Sequence, residues 1–314
     1  RLYDNLPQDE VLFTRRLQEA GYTTALFGKL HVSSVDFEHN KRHPNDGFDV
    51  FELCMEACLR MDAPHQAYAQ WLARNHPDFH ARLVRDGRSV RHHPQEVHMT
   101  RWAADRTIDF LQRHDRDNPF FAMMSLFDPH NPYEDYPREM ADLIDPAKIP
   151  APLVRERGFD GLPAAIRREH HGSYLGDVSN FTDEDIRRMR LGYHASIAFA
   201  DQEFGRVLDA LGDAGLAENT LVVFTSDHGD MLGDHGLSQK NVPYEASVRT
   251  PFILRWPGRT EAGRVCDDLV GNEDFLPTVI DALGLERDPQ AAPPAGASLL
   301  GRDGGGLAEP REAY

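Results

Sequence analysis

Three apolar segments of this chain each end in side chains that can do chemistry. The first is followed by Lys29 and His31, the second by His130, and the third by Asp227, His228 and, after a short loop, Lys240. Adjacent Asp and His side chains are typical ligands of a divalent metal. Two lysines and two further histidines can hold a tetrahedral oxyanion, neutralise the charge that develops on it and protonate a leaving group. The set predicts a metal-assisted site for a tetrahedral oxyanion, with Asp227 and His228 as metal ligands and the other four as catalytic residues.

Each of these residues has a simpler interpretation when it is taken singly. A lysine such as Lys29 is usually a solvated surface charge, and a histidine such as His130 often lies in a turn. Asp227 and His228 fit an acidic, glycine-rich surface loop as well as a metal site. Ligands collect at the carboxyl ends of strands in open α/β sheets, so the recurrence at three strand ends favours one shared site.

The segments that carry these residues alternate between helical and strand patterns. We predict helices over 9–20, 99–114, 182–211 and 274–283, and strands over 22–27, 119–127, 221–225 and 251–256. This alternation predicts an α/β fold with a mostly parallel central sheet and helices on both faces. Segment 133–180, rich in Pro, Arg and Gly, predicts a surface excursion or lid. Residues 1–288 are expected to form one α/β domain, and 289–314 a Pro/Gly/Ala-rich connection toward a C-terminal part.

Composition excludes several classes of function. With 34 Lys+Arg against 51 Asp+Glu in 314 residues, the net charge is −17, so nucleic acid is not an expected partner. No apolar run is long enough to span a membrane. The three cysteines predict no disulfide framework, and we assign them no role. The sequence leaves the location open between cytoplasm and periplasm, and it does not indicate an oligomeric state.

Two segments carry a family resemblance. Segment 21–31 (GYTTALFGKLH) and segment 226–236 (SDHGDMLGDHG) with Lys240 after it resemble segments of the sulfatases, and 244–245 (YE), 249–251 (RTP) and 256–258 (WPG) continue the likeness. The chain is identified as a member of the sulfatase family, in the alkaline phosphatase superfamily.

The resemblance implies a fold and a role for each matched residue. The fold would be alkaline-phosphatase-like. Asp227 and His228 are similar to the metal pair, and the two lysines to those that bind sulfate oxygens. His31 is similar to the histidine beside the nucleophile, and His130 to the one that faces the leaving-group oxygen. The implied metal is Ca²⁺ first, because sulfatases with Asp-His at this point are expected to use it. Mn²⁺ is second, because a histidine ligand suits Mn²⁺ better than the oxygen-preferring Ca²⁺.

The family nucleophile is a formylglycine made from Cys or Ser in a Cys/Ser-x-Pro-x-Arg signature, and no Cys or Ser of this chain is followed by that pattern. The family also places two further metal-binding Asp residues ahead of the signature. We therefore expect the chain to lack an amino-terminal part that carries the nucleophile, those ligands, one or more strands and any secretion signal. These residues alone are expected to be poorly soluble and inactive.

Three functions stay open from the sequence. The first is hydrolysis of a sulfate ester of a small molecule or sugar, the second is hydrolysis of a phosphonate or phosphate ester on the same scaffold, and the third is non-catalytic anion binding.

Three further interpretations concern polar residues outside the site. His92 with His93, and His170 with His171, are interpreted as surface pairs. Residues Asp230, Asp234 and His235 are either partners of the metal segment or part of a polar loop.

Overall fold

A computed structural model describes residues 5–153, 161–172, 176–286 and 295–300. The chain divides into two compact units. The first unit comprises 1–214 and 230–242, and the second comprises 215–229 and 243–314. Of the predicted connection 289–314, only 295–300 lies within the described residues. The predicted excursion 133–180 is described except for 154–160 and 173–175.

The first unit contains a parallel sheet and most of the helices. Its elements in chain order are α1 (Phe13–Glu19), β1 (Thr23–Gly28), α2 (Val35–Asn40), β2 (Val50–Leu53), α3 (Ala67–Asn75), α4 (Pro77–Asp86), α5 (Met99–Arg113), β3 (Phe120–Ser125), α6 (Ala164–Gly172) and α7 (Asp183–Asp213). The strand order is β2-β1-β3, and both pairings are parallel. The predicted α/β class with a parallel sheet is confirmed.

Helices cover both faces of this sheet. Phe27 and Phe121 point to opposite faces, because Phe121 is paired with Thr24 and side chains alternate along a strand. The Phe27 ring packs against Phe110 of α5 at 5.8 Å between centroids. The Phe121 ring packs edge-on against Phe13 of α1 at 5.3 Å. The central strand β1 is therefore almost fully buried, which its apolar sequence predicts.

The long helix α7 begins where its capping residues predict. Thr182 and Asp185 form a reciprocal capping box, in which each side chain accepts a hydrogen bond from the other residue's backbone N–H. The helix continues to Asp213, close to the predicted end.

The second unit contains β4 (Val222–Thr225), α8 (Glu245–Val248), β5 (Phe252–Arg255) and α9 (Phe275–Leu283). Strands β4 and β5 pair in antiparallel orientation. The apolar run 222–225 predicts a buried strand, which is wrong for its second half, since Phe224 and Thr225 are exposed. Among the described residues, β4 has β5 as its one strand neighbour, so its other edge is not covered by a strand. None of the described helices combines the length and the apolar character needed to cross a bilayer.

Candidate functional site

Lys29 and His31 lie in the loop that leaves the buried strand β1. The turn requires glycine at Gly28, where φ is +113° and a Cβ atom would lie 1.9 Å from the backbone oxygen of Ser125. This close approach lets the Lys29 backbone N–H donate to that oxygen at 2.7 Å. The Lys29 ammonium lies 5.5 Å from the ring centroid of Phe127, a residue that is close in sequence to His130. The His31 side chain is exposed.

A buried carboxylate from α2 supports the same loop. Glu38 Oε1 accepts hydrogen bonds from the backbone N–H groups of Val32 and Ser33, each at 2.7 Å. Burial raises the pKa of Glu38 to about 7, against the opposing effect of these two N–H groups and of the Lys29 charge. Glu38 thus fixes the backbone that directly follows His31, and the sequence analysis missed it.

The structure brings His130 and Lys240 together. Lys240 Nζ lies 2.6 Å from His130 Nε2, although the residues are 110 positions apart. His130 Nδ1 lies 2.9 Å from the Asn131 backbone oxygen, a contact in which Nδ1 carries the hydrogen and donates it. Nε2 is then the acceptor, and the Lys240 ammonium donates to it. A proton therefore lies between the two side chains.

Two polar contacts hold the Lys240 loop against the segment after His130. Gln239 Nε2 donates to Asn131 Oδ1 at 2.7 Å in a buried position. Asp230 accepts from the Tyr133 hydroxyl at 2.7 Å and from the backbone N–H groups of Leu232 and Gln239 at 3.0 Å each. Burial raises the pKa of Asp230, and these three donors oppose the rise. In sequence, the signal for Asn131 and Gln239 is only that each adjoins a predicted catalytic residue.

Helix α7 fixes the other side of this loop. Arg190 of α7 donates from Nε to the Leu232 oxygen at 2.9 Å and pairs with the Asp234 carboxylate. Asp234 Oδ1 also accepts the Leu153 backbone N–H at 2.9 Å. Of the two interpretations of Asp230 and Asp234, these contacts favour the polar loop, because both carboxylates hold loop backbone.

Asp227 and His228 follow β4 in the second unit. His228 Nδ1 lies 2.8 Å from the Gly229 oxygen, a contact that places the hydrogen on Nδ1 and leaves Nε2 as the ring nitrogen with a lone pair. Nε2 lies 3.4 Å from Asp227 Oδ2. Neighbouring ligands of one Ca²⁺ ion, with bonds of about 2.3–2.6 Å, lie about 3–3.6 Å apart. The pair therefore fits as two of the ligands of a divalent metal, with the second ring nitrogen held by a carbonyl as metal-binding histidines usually are.

The structure thus places the six predicted site residues in two groups. Lys29, His31, His130 and Lys240 belong to the first unit, and Asp227 and His228 to the second. The catalytic and metal-binding roles of these six residues stay predictions.

Comparison with known proteins identifies the family. A family model described as Sulfatase matches residues 1–285. The chain belongs to the sulfatase family. This sulfatase-family chain is 30% identical over 279 residues to an arylsulfatase of Clostridium perfringens, an alignment that covers 84% of the chain and 56% of the relative. It is 25% identical to an N-acetylglucosamine-6-O-sulfatase of Bacteroides thetaiotaomicron, covering 88% of the chain and 54% of the relative.

A solved structure has a similar fold. The phosphonate monoester hydrolase of Agrobacterium radiobacter superposes with a TM-score of 0.72 at 25% identity, covering 94% of the sulfatase-family chain and 62% of the hydrolase. The fold is alkaline-phosphatase-like, as the resemblance implied. The chain spans little more than half the length of the two curated relatives.

Proposed function

We propose that this chain is the part of a sulfatase that binds the sulfate group of an ester and protonates its leaving group. The observation that carries the proposal is the 2.6 Å contact between Lys240 Nζ and His130 Nε2. A lysine that binds a sulfate oxygen and a histidine that faces the leaving oxygen must lie side by side, because the two oxygens share one sulfur. With the Lys240 ammonium turned to a sulfate oxygen, a proton on His130 Nε2 would be available to the departing alkoxide.

Local positive charge in the first unit supports anion binding against the overall charge of −17. The Lys29 ammonium lies over the Phe127 ring at 5.5 Å, and an aromatic face holds a cation without neutralising it. The residue before Lys240 is fixed in the same way, since Gln239 Nε2 donates to Asn131 Oδ1 in a buried contact. Preorganised cations of this kind stabilise the negative charge of a transition state without further rearrangement.

We propose Ca²⁺ as the metal, with Mn²⁺ second, and Asp227 and His228 as two of its ligands. When bound, the ion would polarise the ester oxygens as a Lewis acid. The chain's own contribution is to fix the His228 ring through the Gly229 carbonyl and to place Asp227 Oδ2 beside Nε2.

We further propose that the nucleophile is a formylglycine supplied by residues outside this sequence. The chain contains no Cys/Ser-x-Pro-x-Arg segment and spans 56% of the arylsulfatase length. Mass spectrometry of the purified natural protein checks this, since it should detect an aldehyde-bearing Cys or Ser peptide that these residues do not contain. Its absence would contradict this part of the proposal.

The substrate we propose is a sulfate ester of a sugar or small alcohol. One relative is named as an N-acetylglucosamine-6-O-sulfatase, which supports a sugar ester. Phosphonate ester hydrolysis is the second candidate, favoured by the superposition on the phosphonate monoester hydrolase.

The decisive experiment compares hydrolysis of an aryl sulfate and an aryl phosphonate monoester by the metal-loaded natural protein. A higher kcat/KM on the sulfate supports the proposal, and a higher value on the phosphonate selects the second candidate. Lys240→Ala and His130→Ala should each lower kcat about 10²–10³-fold. Lys148→Ala is the matched control, since Lys148 is exposed and pairs weakly with Asp145. Binding of sulfate without turnover of either ester would indicate a non-catalytic anion-binding relative instead.

A further inference from the structure

A second group of metal-ligand side chains lies away from the predicted site residues, at the end of helix α6. His170 and His171 are close to the carboxyl end of this helix, and Asp177 follows shortly before α7. One ring nitrogen of each histidine and one carboxylate oxygen all lie within 4.8 Å of one another. In the part of the chain that the structure describes, this is the one group of three or more His, Cys, Asp and Glu residues close enough to hold a metal ion.

The distances suit a small, nitrogen-preferring ion. His171 Nδ1 lies 3.2 Å from Asp177 Oδ2. Two ligands of a tetrahedral Zn²⁺ lie about 3.3 Å apart, from bonds of about 2.0–2.1 Å. The other distances between ligand atoms of the group, which are at most 4.8 Å, can shorten to this value by rotation of the His171 side chain, which is 65% exposed. Two imidazoles and one carboxylate, with water as a fourth ligand, form a common zinc donor set.

The second ring nitrogen of His170 shows the pattern expected of a metal ligand. His170 Nδ1 lies 2.7 Å from the Gly236 backbone oxygen, so Nδ1 carries the hydrogen and Nε2 has the lone pair. Histidines that bind metals usually donate their other ring N–H to a carbonyl or carboxylate, which fixes the tautomer and the ring orientation. The contact fixes the His170 ring so that Nε2 is the nitrogen that can bind a metal ion.

We propose that His170, His171 and Asp177 form a binding site for a Zn²⁺-class transition metal ion, separate from Asp227 and His228. The ion ties the end of α6 to the turn that precedes α7. Through the His170 contact with Gly236, and through Asn241 Nδ2, which lies 3.3 Å from Glu169 Oε2, it also holds α6 against the loop that carries Lys240. The ion therefore stabilises the position of this loop.

The test measures Zn²⁺ binding to the full chain by competition with a chromogenic chelator. The double variant His171→Ala/Asp177→Asn should bind one equivalent of Zn²⁺ less than the unchanged chain, or bind that Zn²⁺ ion at least about 100-fold more weakly. His80→Ala, which removes a partly buried histidine of α4, is the matched control and should keep the full stoichiometry. The variant Asp227→Asn/His228→Ala should also keep this equivalent, which separates the two proposed metal sites.

A spectroscopic readout accompanies the binding measurement. Co²⁺ in place of Zn²⁺ should give the intense visible absorption bands that are typical of a Co²⁺ site with a low coordination number. These bands should disappear in the double variant. Melting temperatures in the presence of a chelator show whether the double variant folds normally, and they should match those of the unchanged chain. Equal zinc stoichiometry and affinity in the double variant and the unchanged chain would overturn the proposal, as would loss of the equivalent on changing Asp227 and His228 alone.

Discussion

Replacing Asp230 by alanine should destabilise the first unit and misplace Lys240. Asp230 accepts three hydrogen bonds, from the Tyr133 hydroxyl and from the backbone N–H groups of Leu232 and Gln239. In Asp230→Ala the two buried N–H groups lose their acceptor, at a cost of about 1–3 kcal/mol each. Tyr133→Phe removes one bond and leaves both N–H groups paired, so it should cost about 1 kcal/mol. The free energy of unfolding should therefore fall by about 3 kcal/mol in Asp230→Ala, roughly three times the loss in Tyr133→Phe.

Urea denaturation measures these losses, with an unchanged m value showing that the folded and unfolded states are otherwise comparable. Asp230→Asn keeps one oxygen acceptor and should fall between the two variants. The kcat for ester hydrolysis should fall up to about 100-fold in Asp230→Ala, since an error of about 1 Å in the position of a catalytic group has that effect. The reasoning is refuted if Asp230→Ala and Tyr133→Phe lose equal stability, or if Asp230→Ala keeps the full kcat.

Three further predictions concern the loop after β1 and the metal pair. The pKa of Glu38 is raised from 4.5 to about 7, so its contribution to stability is complete below about pH 4.5 and is lost as the pH rises through 7. Glu38→Gln should therefore flatten the dependence of the unfolding free energy on pH in that window. An unchanged slope would contradict the assigned burial effect. Gly28→Ala should cost more than about 1 kcal/mol because its Cβ would meet a β3 backbone oxygen. Gly87→Ala, where φ is also positive but the space is open, should cost less, and thermal unfolding compares the two. Asp227→Asn/His228→Ala should lose one equivalent of bound Ca²⁺ in calorimetry and all esterase activity, whereas retention of both would remove this pair from the metal site.

Local patterns in the sequence predicted most of the helices and strands. The capping residues Thr182 and Asp185 place the start of α7, and the apolar run before Gly28 places β1. The sequence patterns predict neither β2 nor helices α2 to α4, because each of these elements is at most 10 residues long, shorter than the window of about 11–18 residues in which a period stands out. The patterns also predict β4 as buried, since an apolar run shows that a strand forms but not how many neighbours it has.

The sequence by itself determined which side chains can do chemistry, at which strand ends they lie, and the family to which the chain belongs. These features depend on residue types and on neighbours a few positions apart. Only the tertiary structure decided that Lys240 donates to His130, that the Tyr133 hydroxyl donates to Asp230, and that Arg190 pairs with Asp234. The physical reason is that such contacts join segments distant in sequence. Their positions follow from how helices and strands pack, and no local period encodes that packing.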